Sequence, residues 1–266
     1  MQKVVVQIVI FVGLFFMTWF SFRQVDWMKN FNIAQKTKST EEKLGDFIWE
    51  ALVRAEDEIK DRKIITPVDS LLTRICISNK IDRKKIKLHI LNSSEVNAFA
   101  LPNHHLVVFS GLINESINEN ELSGVISHEL AHIELNHVMK KLVKEVGLSV
   151  LLSMTTGSGG EVVKEIVRLI SSSAYDRSLE TEADLQAVEY MLKSHLNPEA
   201  LANFLYRLSN NKDDLSKHLD WVSTHPNPEE RAETIIDNSH DRKVTFKPVL
   251  TKREWEALQK RIEKDN

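Results

Sequence analysis

The residues best suited to chemistry lie in the stretch GVISHELAHIELNHVMKKL, residues 124–142. His128 and His132 are four residues apart, so on a helix their imidazoles lie one above the other and can share a metal ion. Glu129, about 100° round the helix from His128, can reach a water at that metal without binding the metal itself. Two neutral imidazoles suit zinc, and a nearby carboxylate can take the water's proton and deliver it to a leaving amine. The HExxH pattern therefore predicts a zinc site with Glu129 as general base.

A third histidine, His137, lies five residues after His132. On a continuous helix it would lie about 140° round from His132, so we expect it to face away from the metal. The extended pattern HExxHxxGxxH needs a glycine and a histidine where this sequence has Leu135 and Val138. The third ligand must therefore come from another segment.

Acidic residues in RSLETEADLQAVEYML, residues 177–192, offer that ligand. Glu180 and Asp184 are four residues apart and share one face of a predicted helix. Glu180 could bind zinc, while Asp184 could accept the other ring N–H of a ligating histidine. By spacing alone, Glu180 is one of several acidic residues that could serve, so the choice stays open at this point.

Composition limits the other classes of function. The chain has 266 residues and a net charge of −3, which gives no general attraction for nucleic acid. Its single cysteine, Cys76, excludes an intrachain disulfide and any multi-cysteine metal site. We therefore expect no nucleic-acid partner.

An apolar run, residues 4–22, precedes the rest of the chain. About 20 apolar residues span a bilayer, and no small-residue cleavage site of a signal peptide follows the run. We expect residues 1–23 to be an uncleaved transmembrane helix that anchors the chain in the lipid bilayer, with a linker over residues 24–38. A cleaved signal peptide is the alternative. Lys3 and Arg23 flank the run, so the positive-inside rule does not give the orientation.

The elements that must position the site are mostly helical. We expect one α+β, mostly α, domain over residues 39–240 and a charged amphipathic helix over residues 241–266. Ser39 and Glu42 fit a capping box at the start of the first helix. A second helix is predicted to begin after Pro67.

Two segments before the HExxH helix alternate like strands. They are IKLHILN, residues 86–92, and HLVVFS, residues 105–110, and a turn at Pro102-Asn103 precedes the second. We expect them to pair in a small antiparallel sheet.

Several motifs together resemble the HtpX-like, BepA-like and CAAX prenyl proteases, a family of HExxH zinc metalloendopeptidases of the gluzincin type. The family's marks are HExxH, an arginine before ExxAD and a late HPxxxxR, which correspond here to His128–His132, Arg177 with Glu180–Asp184, and His225-Pro226 with Arg231. The segment NAFALPNHH is similar to the family's NAFxxPGG, with Asn103-His104 in place of the two glycines.

The resemblance implies a gluzincin-type domain with one zinc ion per chain. It implies that Glu180 is the third metal ligand and Glu129 the base. Around the ligands it implies Asp184, Arg177 and Arg231, with the two arginines bracing the site through ion pairs.

Substrate contacts also follow from the resemblance. It implies that Leu106, Val107 and Val108 belong to an edge strand onto which an extended peptide adds by β-pairing. In some relatives the equivalent of His225 lies at the active site. There it stabilises the tetrahedral oxyanion or occupies the open zinc position as a latch, and a plain loop before a helix is the alternative.

The sequence thus predicts a membrane-anchored zinc metalloendopeptidase. The resemblance implies damaged or misassembled envelope proteins as substrates and a periplasmic or otherwise extracytoplasmic catalytic domain. Two alternatives remain: an aminopeptidase-like gluzincin, and a latched chaperone-like protein that binds envelope proteins and rarely cleaves them. The first is disfavoured because no GxMEN-type segment precedes the motif.

Overall fold

The structure is a computed structural model that describes residues 33–147, 150–151, 166, 168–170, 174–210, 221 and 223–265. The chain divides into two compact units, residues 1–41 and 42–266, and every residue of the candidate site belongs to the second. The predicted anchor, residues 1–23, lies outside the described residues. Within the described part, no helix combines the length and apolar character needed to cross a membrane.

Helices dominate the described elements, which confirms the mostly α, α+β class. In chain order they are α1 (Ile33–Leu52), α2 (Arg62–Ser78), β1 (Lys87–Leu91), β2 (Ala98–Leu101), β3 (His105–Phe109), α3 (Ser110–Glu115), α4 (Glu119–Glu134), α5 (His137–Glu145), α6 (Arg177–Lys193), α7 (Glu199–Asn210), α8 (Pro228–Ser239) and α9 (Lys252–Asp265). A short 3₁₀ turn, Arg83–Lys85, precedes β1.

The sheet is mixed, with strand order β1-β3-β2. β2 pairs with β3 antiparallel, and β1 pairs with β3 parallel on the other side. The prediction that residues 86–92 and 105–110 pair antiparallel is therefore wrong. The error arises because the strand β2 was not identified from the sequence. A tight turn places β2 antiparallel beside β3, and β1 pairs with the other side of β3 in the parallel direction.

β3 is the central strand, so the predicted edge position of Leu106, Val107 and Val108 is also wrong. Each of these residues has a partner on both β1 and β2, and each is buried. Their backbone groups are already used within the sheet and cannot add a peptide. The edge strand next to α4 is β2, and α4 packs against it.

The turn between β2 and β3 explains the departure from the family's glycine pair. Asn103 and His104 have φ values of 61° and 60°. Three residues, 102–104, connect the paired ends of β2 and β3. Glycine adopts positive φ most readily, and asparagine and histidine are among the non-glycine residues found there most often. α1 packs closely against this turn at Gly45, where an added Cβ would lie 2.1 Å from the Pro102 carbonyl oxygen.

The first two helices begin earlier than predicted. α1 already includes residues 33–38, so Ser39 lies inside the helix and is not its N-cap. α2 begins at Arg62, where the Asp61 side chain accepts a hydrogen bond from the Lys63 N–H as N-cap. Pro67 lies inside α2, so the prediction that this helix starts after the proline is wrong.

The C-terminal helix is shorter than predicted and packs on the core. It begins at Lys252, and residues 241–251 contain no helix. Trp255, Leu258 and Ile262 are buried, and α9 contacts α2 and α3.

α4 is the central helix of the second unit. It contacts α2, α6, α7 and the sheet, and nearly all of its residues are buried. Its approach to α7 is close at Gly124, where an added Cβ would lie 2.7 Å from Cβ of Leu201. The helix that carries HExxH is therefore held rigidly on several sides.

Candidate metal centre

Four buried side chains from three segments converge on one point. His128 and His132 come from α4, Glu180 from the first turn of α6, and His225 from the loop before α8. One ligand atom of each lies within 4.8 Å of the others. The three predicted zinc ligands therefore lie together, and His225 joins them.

The separations between these atoms fit a single small cation. They are 3.0 Å for His128 Nε2 to His132 Nε2, 3.3 Å for His128 Nε2 to His225 Nδ1, 3.3 Å for His132 Nε2 to Glu180 Oε1, 3.6 Å for His128 Nε2 to Glu180 Oε2, and 3.0 Å for His225 Nδ1 to Glu180 Oε1. Zinc bonds of 2.0–2.1 Å in a tetrahedron place ligand atoms about 3.3 Å apart.

The positions of the histidine ring protons also indicate a cation site. His128 Nδ1 lies 3.0 Å from Asp184 Oδ1, and an ionised carboxylate only accepts hydrogen bonds, so that nitrogen carries the ring proton. The Nε2 of His128 is then a lone pair directed at a second Nε2 and at the Glu180 carboxylate. Acceptors facing one another in a buried site call for a cation, and two or three imidazoles with one carboxylate suit zinc.

The lowered pKa values of His132 and His225 favour the neutral imidazole, the form that binds a metal ion. Burial lowers the pKa of His132 well below its usual value, against the opposing effect of the hydrogen bond to Glu180. Burial also lowers the pKa of His225, to about 4. Burial raises the pKa of Glu180, but its close contact with His225 and the charge of Arg231 outweigh burial and hold the pKa well below its usual value.

Arg231, from α8, forms ion pairs with the carboxylates around the ligand cluster. Its guanidinium lies 2.7 Å and 2.8 Å from the two oxygens of Asp184 and 2.7 Å from Glu180 Oε2. Burial raises the pKa of Asp184, but the charge and hydrogen bonds of Arg231, with the contact to His128, lower it below its usual value overall. Arg231 also donates to the backbone carbonyl of His225, at 3.3 Å.

Arg177 lies outside this cluster. Its side chain is 68% exposed and pairs with Glu230, across the start of α6 and α8, at 3.3 Å. This ion pair joins two helix ends and does not reach the ligands.

His137 is close to the ligands, so the expectation that it faces away is wrong. α4 ends at Glu134, and Asn136 adopts a left-handed conformation, with φ 57°, before α5 begins. The 140° rotation assumed a continuous helix, and the break turns His137 back toward the site. Its Nδ1 lies 3.0 Å from His132 Nδ1, and its Nε2 lies 3.2 Å from Glu182 Oε2.

Glu129 is buried beside the cluster with its carboxylate available. Neither oxygen has a hydrogen bond of ordinary geometry, although the Ala100 N–H points toward them and His225 Nε2 lies 3.3 Å from Oε1. Burial, followed by the charge of Glu180, raises the pKa of Glu129 well above its usual value. A carboxyl group in this state is suited to taking and returning a proton.

Two aromatic residues that the sequence reading did not single out line the site. The Tyr175 ring stacks on His132 with centroids 4.2 Å apart, and Trp221 stacks on His225 at 4.6 Å. The Tyr175 N–H donates to the Thr224 carbonyl, so the segment before α6 is tied to the loop of His225. Position gives the only sequence signal: Tyr175 begins the YDRSLETEAD motif, and Trp221 lies four residues before His225.

Comparison with known proteins agrees with this geometry. Residues 66–238 match peptidase family M48. The chain is 25% identical to the "Beta-barrel assembly-enhancing protease" of Yersinia pestis over 78% of this chain and 45% of that protein. It is 29% identical to "Metalloendopeptidase OMA1, mitochondrial" of Bos taurus over 56% and 31%, and 26% identical to "Metalloprotease LoiP" of Escherichia coli K12 over 69% and 77%.

The chain thus spans less than half the length of the first two of these relatives. The match to the family nevertheless covers more than half of the chain, and it contains the whole cluster from His128 to Arg231. The relatives are named as proteases or metalloendopeptidases, as expected for a domain whose buried histidines and carboxylates fit a metal ion. On this match, the chain belongs to peptidase family M48.

Proposed function

We propose that the chain is a zinc-dependent endopeptidase, with His128, His132 and Glu180 as metal ligands and Glu129 as general base. A zinc ion at this site would lower the pKa of a water molecule and polarise the scissile carbonyl. The observation that carries the proposal is the state of Glu129: a buried carboxyl group beside the ligand cluster, with a raised pKa and no hydrogen bond of ordinary geometry.

The chain's own residues then have separate tasks. Glu129 takes the proton of the attacking water and passes it to the leaving amine. This role requires the pKa of the Glu129 carboxyl group to lie near the working pH. Asp184 fixes the His128 imidazole by accepting its Nδ1–H, and Arg231 holds both Asp184 and Glu180 in place.

His225 acts as a latch in this proposal. Its Nδ1 lies among the ligand atoms, 3.3 Å from His128 Nε2, and its Nε2 approaches Glu129. A fourth protein ligand fills the position that a catalytic zinc site keeps open for water. His225 must therefore move away before a substrate carbonyl can enter, and its loop before α8 is the element that would move.

An extended substrate would pair with the outer edge of β2, in place of the predicted pairing with β3. Asn97 and Phe109 form a hydrogen-bonded pair, with the Phe109 N–H bonded to the Asn97 carbonyl. Hydrogen-bonded and non-hydrogen-bonded pairs alternate along an antiparallel ladder, so Ala98 and Ala100 direct their backbone groups away from β3. This outer edge of β2 lies beside Glu129, toward which the Ala100 N–H is directed.

The cell envelope is the proposed place of action, with misassembled envelope proteins as substrates. One relative is named for enhancing β-barrel assembly, and the apolar run over residues 4–22 would serve as an anchor in the bilayer. Protease protection of the catalytic domain in intact and opened cells tests the location. Mass spectrometry of the mature N-terminus tests whether residues 1–23 remain.

The decisive experiment compares Glu129→Gln with the matched control Glu134→Gln, an exposed glutamate of the same helix. Cleavage of casein and of an unfolded membrane protein is measured together with zinc content. We expect Glu129→Gln to keep zinc and lose about 10²–10⁴-fold of the rate, and the control to keep both. Equal cleavage by wild type and Glu129→Gln would refute the role of Glu129.

A chaperone-like function is the second candidate, and the position of His225 favours it, since a filled fourth position suppresses hydrolysis. His225→Ala distinguishes the two. A rise in cleavage supports a latched peptidase. No cleavage by the zinc-loaded wild type or by His225→Ala, with substrate still bound, supports the binding protein.

A further inference from the structure

His128 and His132 both direct Nε2 into the ligand cluster, but their Nδ1 atoms have different partners. His128 Nδ1 contacts a buried carboxylate, Asp184, at 3.0 Å. His132 Nδ1 instead contacts another imidazole, with 3.0 Å between it and Nδ1 of His137. His137 is buried, and its other nitrogen, Nε2, lies 3.2 Å from Oε2 of Glu182.

The proton positions along this chain of contacts follow from the ligand role of His132. A neutral imidazole that offers Nε2 to a metal ion carries its proton on Nδ1, so His132 is the donor to His137. His137 Nδ1 is then the acceptor, and the one proton of a neutral His137 must lie on Nε2. That nitrogen faces Glu182, whose carboxylate can accept the proton, so both contacts of His137 are satisfied without any extra charge.

We propose that His137 is a positioning residue of the metal centre: it accepts the Nδ1–H of His132, is itself fixed by Glu182, and so holds His132 with Nε2 toward the metal ion. The inference rests on the zinc site of the proposed function but does not require peptidase activity. Groups behind a metal ligand typically change metal affinity or activity about 10- to 100-fold when they are removed.

The backbone supports this role. The left-handed residue Asn136 ends α4 and starts α5, and this break places His137 behind the ligand instead of one turn further along the same helix. α6 supplies the other partners: Glu180 at the ligand cluster, Asp184 behind His128, and Glu182 behind His137. One helix therefore orients both histidines of HExxH, one directly and one through His137.

The test measures the zinc dissociation constant of the purified full chain by competition with a chromophoric chelator. His137→Phe keeps the ring volume but removes both nitrogens, and we expect zinc to bind about 10- to 100-fold more weakly. His137→Asn keeps an acceptor near the position of Nδ1 and loses only the contact with Glu182, which is partly exposed and therefore weak. We expect the zinc affinity of this variant to lie within about threefold of wild type. Cobalt-substituted protein should show altered d–d absorption with His137→Phe and a nearly unchanged spectrum with His137→Asn.

Glu182 provides a second, independent arm. Its side chain is 51% exposed, so Glu182→Gln should weaken zinc binding only about two- to fivefold. The same change in the His137→Asn background should have no effect, because the link from Glu182 to His132 is already lost there. Glu189→Gln is the matched control on the same helix, where Glu189 pairs with Arg242, and it should leave zinc affinity unchanged.

Either of two results would overturn the proposal. Wild-type affinity in a folded His137→Phe protein would mean that His132 needs no acceptor, and equal weakening in His137→Phe and His137→Asn would mean that an acceptor near the Nδ1 position does not preserve zinc binding. If His137→Phe does not fold, additive effects of Glu182→Gln and His137→Asn on zinc affinity would refute the linkage. A failure of the proposed peptidase activity is separate, since it leaves zinc binding intact and appears in the Glu129→Gln comparison.

Discussion

Arg231 offers the sharpest test of how the metal centre is built. It is the buried cation that contacts both Asp184 and Glu180, at 2.7–2.8 Å. Arg231→Met keeps most of the side-chain volume and removes the charge, so it leaves two buried carboxylates without this partner. Breaking a buried pair in this way costs about 3–5 kcal/mol of unfolding free energy. For a domain of this size, each kcal/mol lowers Tm by about 2–4 °C, so we expect a fall of roughly 6–20 °C.

The stability lost in Arg231→Met should also depend on pH, and the direction follows from the pKa values of the two carboxyl groups. In the wild type the pKa values of Asp184 and Glu180 are lowered overall, so their contribution to stability is present above the unfolded pKa values of about 4 and is lost as pH falls through the folded values. Without Arg231, the pKa values of both carboxyl groups rise, because a large opposing charge is removed and burial remains. The carboxylates then cost stability at pH 7.5, and they regain it as they are protonated at lower pH.

Urea unfolding of zinc-free wild type and Arg231→Met, at pH 7.5 and pH 5, measures both effects. The difference between the two proteins should be largest at pH 7.5 and smaller at pH 5. Arg177→Met is the matched control, because its ion pair is exposed, and it should change stability by less than about 1 kcal/mol. A loss below about 1 kcal/mol for Arg231→Met, or a loss equal at both pH values, would refute the reasoning.

Three further predictions concern the scaffold. Gly124→Ala should lower the unfolding free energy by about 1–3 kcal/mol, because the new Cβ would lie 2.7 Å from Cβ of Leu201; an unchanged urea midpoint would show that α4 and α7 can separate at no cost. His104→Gly should raise stability by about 1 kcal/mol, because glycine adopts φ 60° without strain, while His104→Ala should give no such gain in the same unfolding assay. Burial raises the pKa of the Cys76 thiol to about 11, so iodoacetamide at pH 8 should label it at least about 100-fold more slowly in the folded protein than in urea; rates within tenfold would contradict its burial.

The sequence predicted the part of the site that depends on local geometry. The four-residue spacing of His128 and His132 sets their shared face on any helix, and the structure places their Nε2 atoms 3.0 Å apart. Glu180 could not be chosen by spacing, since several acidic residues lie in the same segment; the family resemblance selected it. Its contact with the histidines depends on how α6 packs on α4, which a one-dimensional pattern does not contain.

The incorrect predictions for His137 and for the strand order each have a specific structural cause. His137 was placed by continuing a helix that in fact ends at Glu134, and the left-handed Asn136 that redirects the chain is a conformation one residue can adopt without a strong sequence signal. The strand order failed because β2 is only four residues long and carries no alternating pattern, AFAL being apolar throughout. The edge position of β3 was taken from the family resemblance, and the structure places β2 and β1 on either side of it.

The four candidate ligands also join distant parts of the chain: 97 residues separate His128 from His225. A metal ion bound there connects α4, α6 and the loop before α8 at one point, and it can do so only in the folded chain. Each tenfold rise in free zinc above the dissociation constant should therefore add about 1.4 kcal/mol to the unfolding free energy. Zinc supply would then set how long the protein survives as well as whether it is active, so that chains deprived of the metal would unfold and be degraded first.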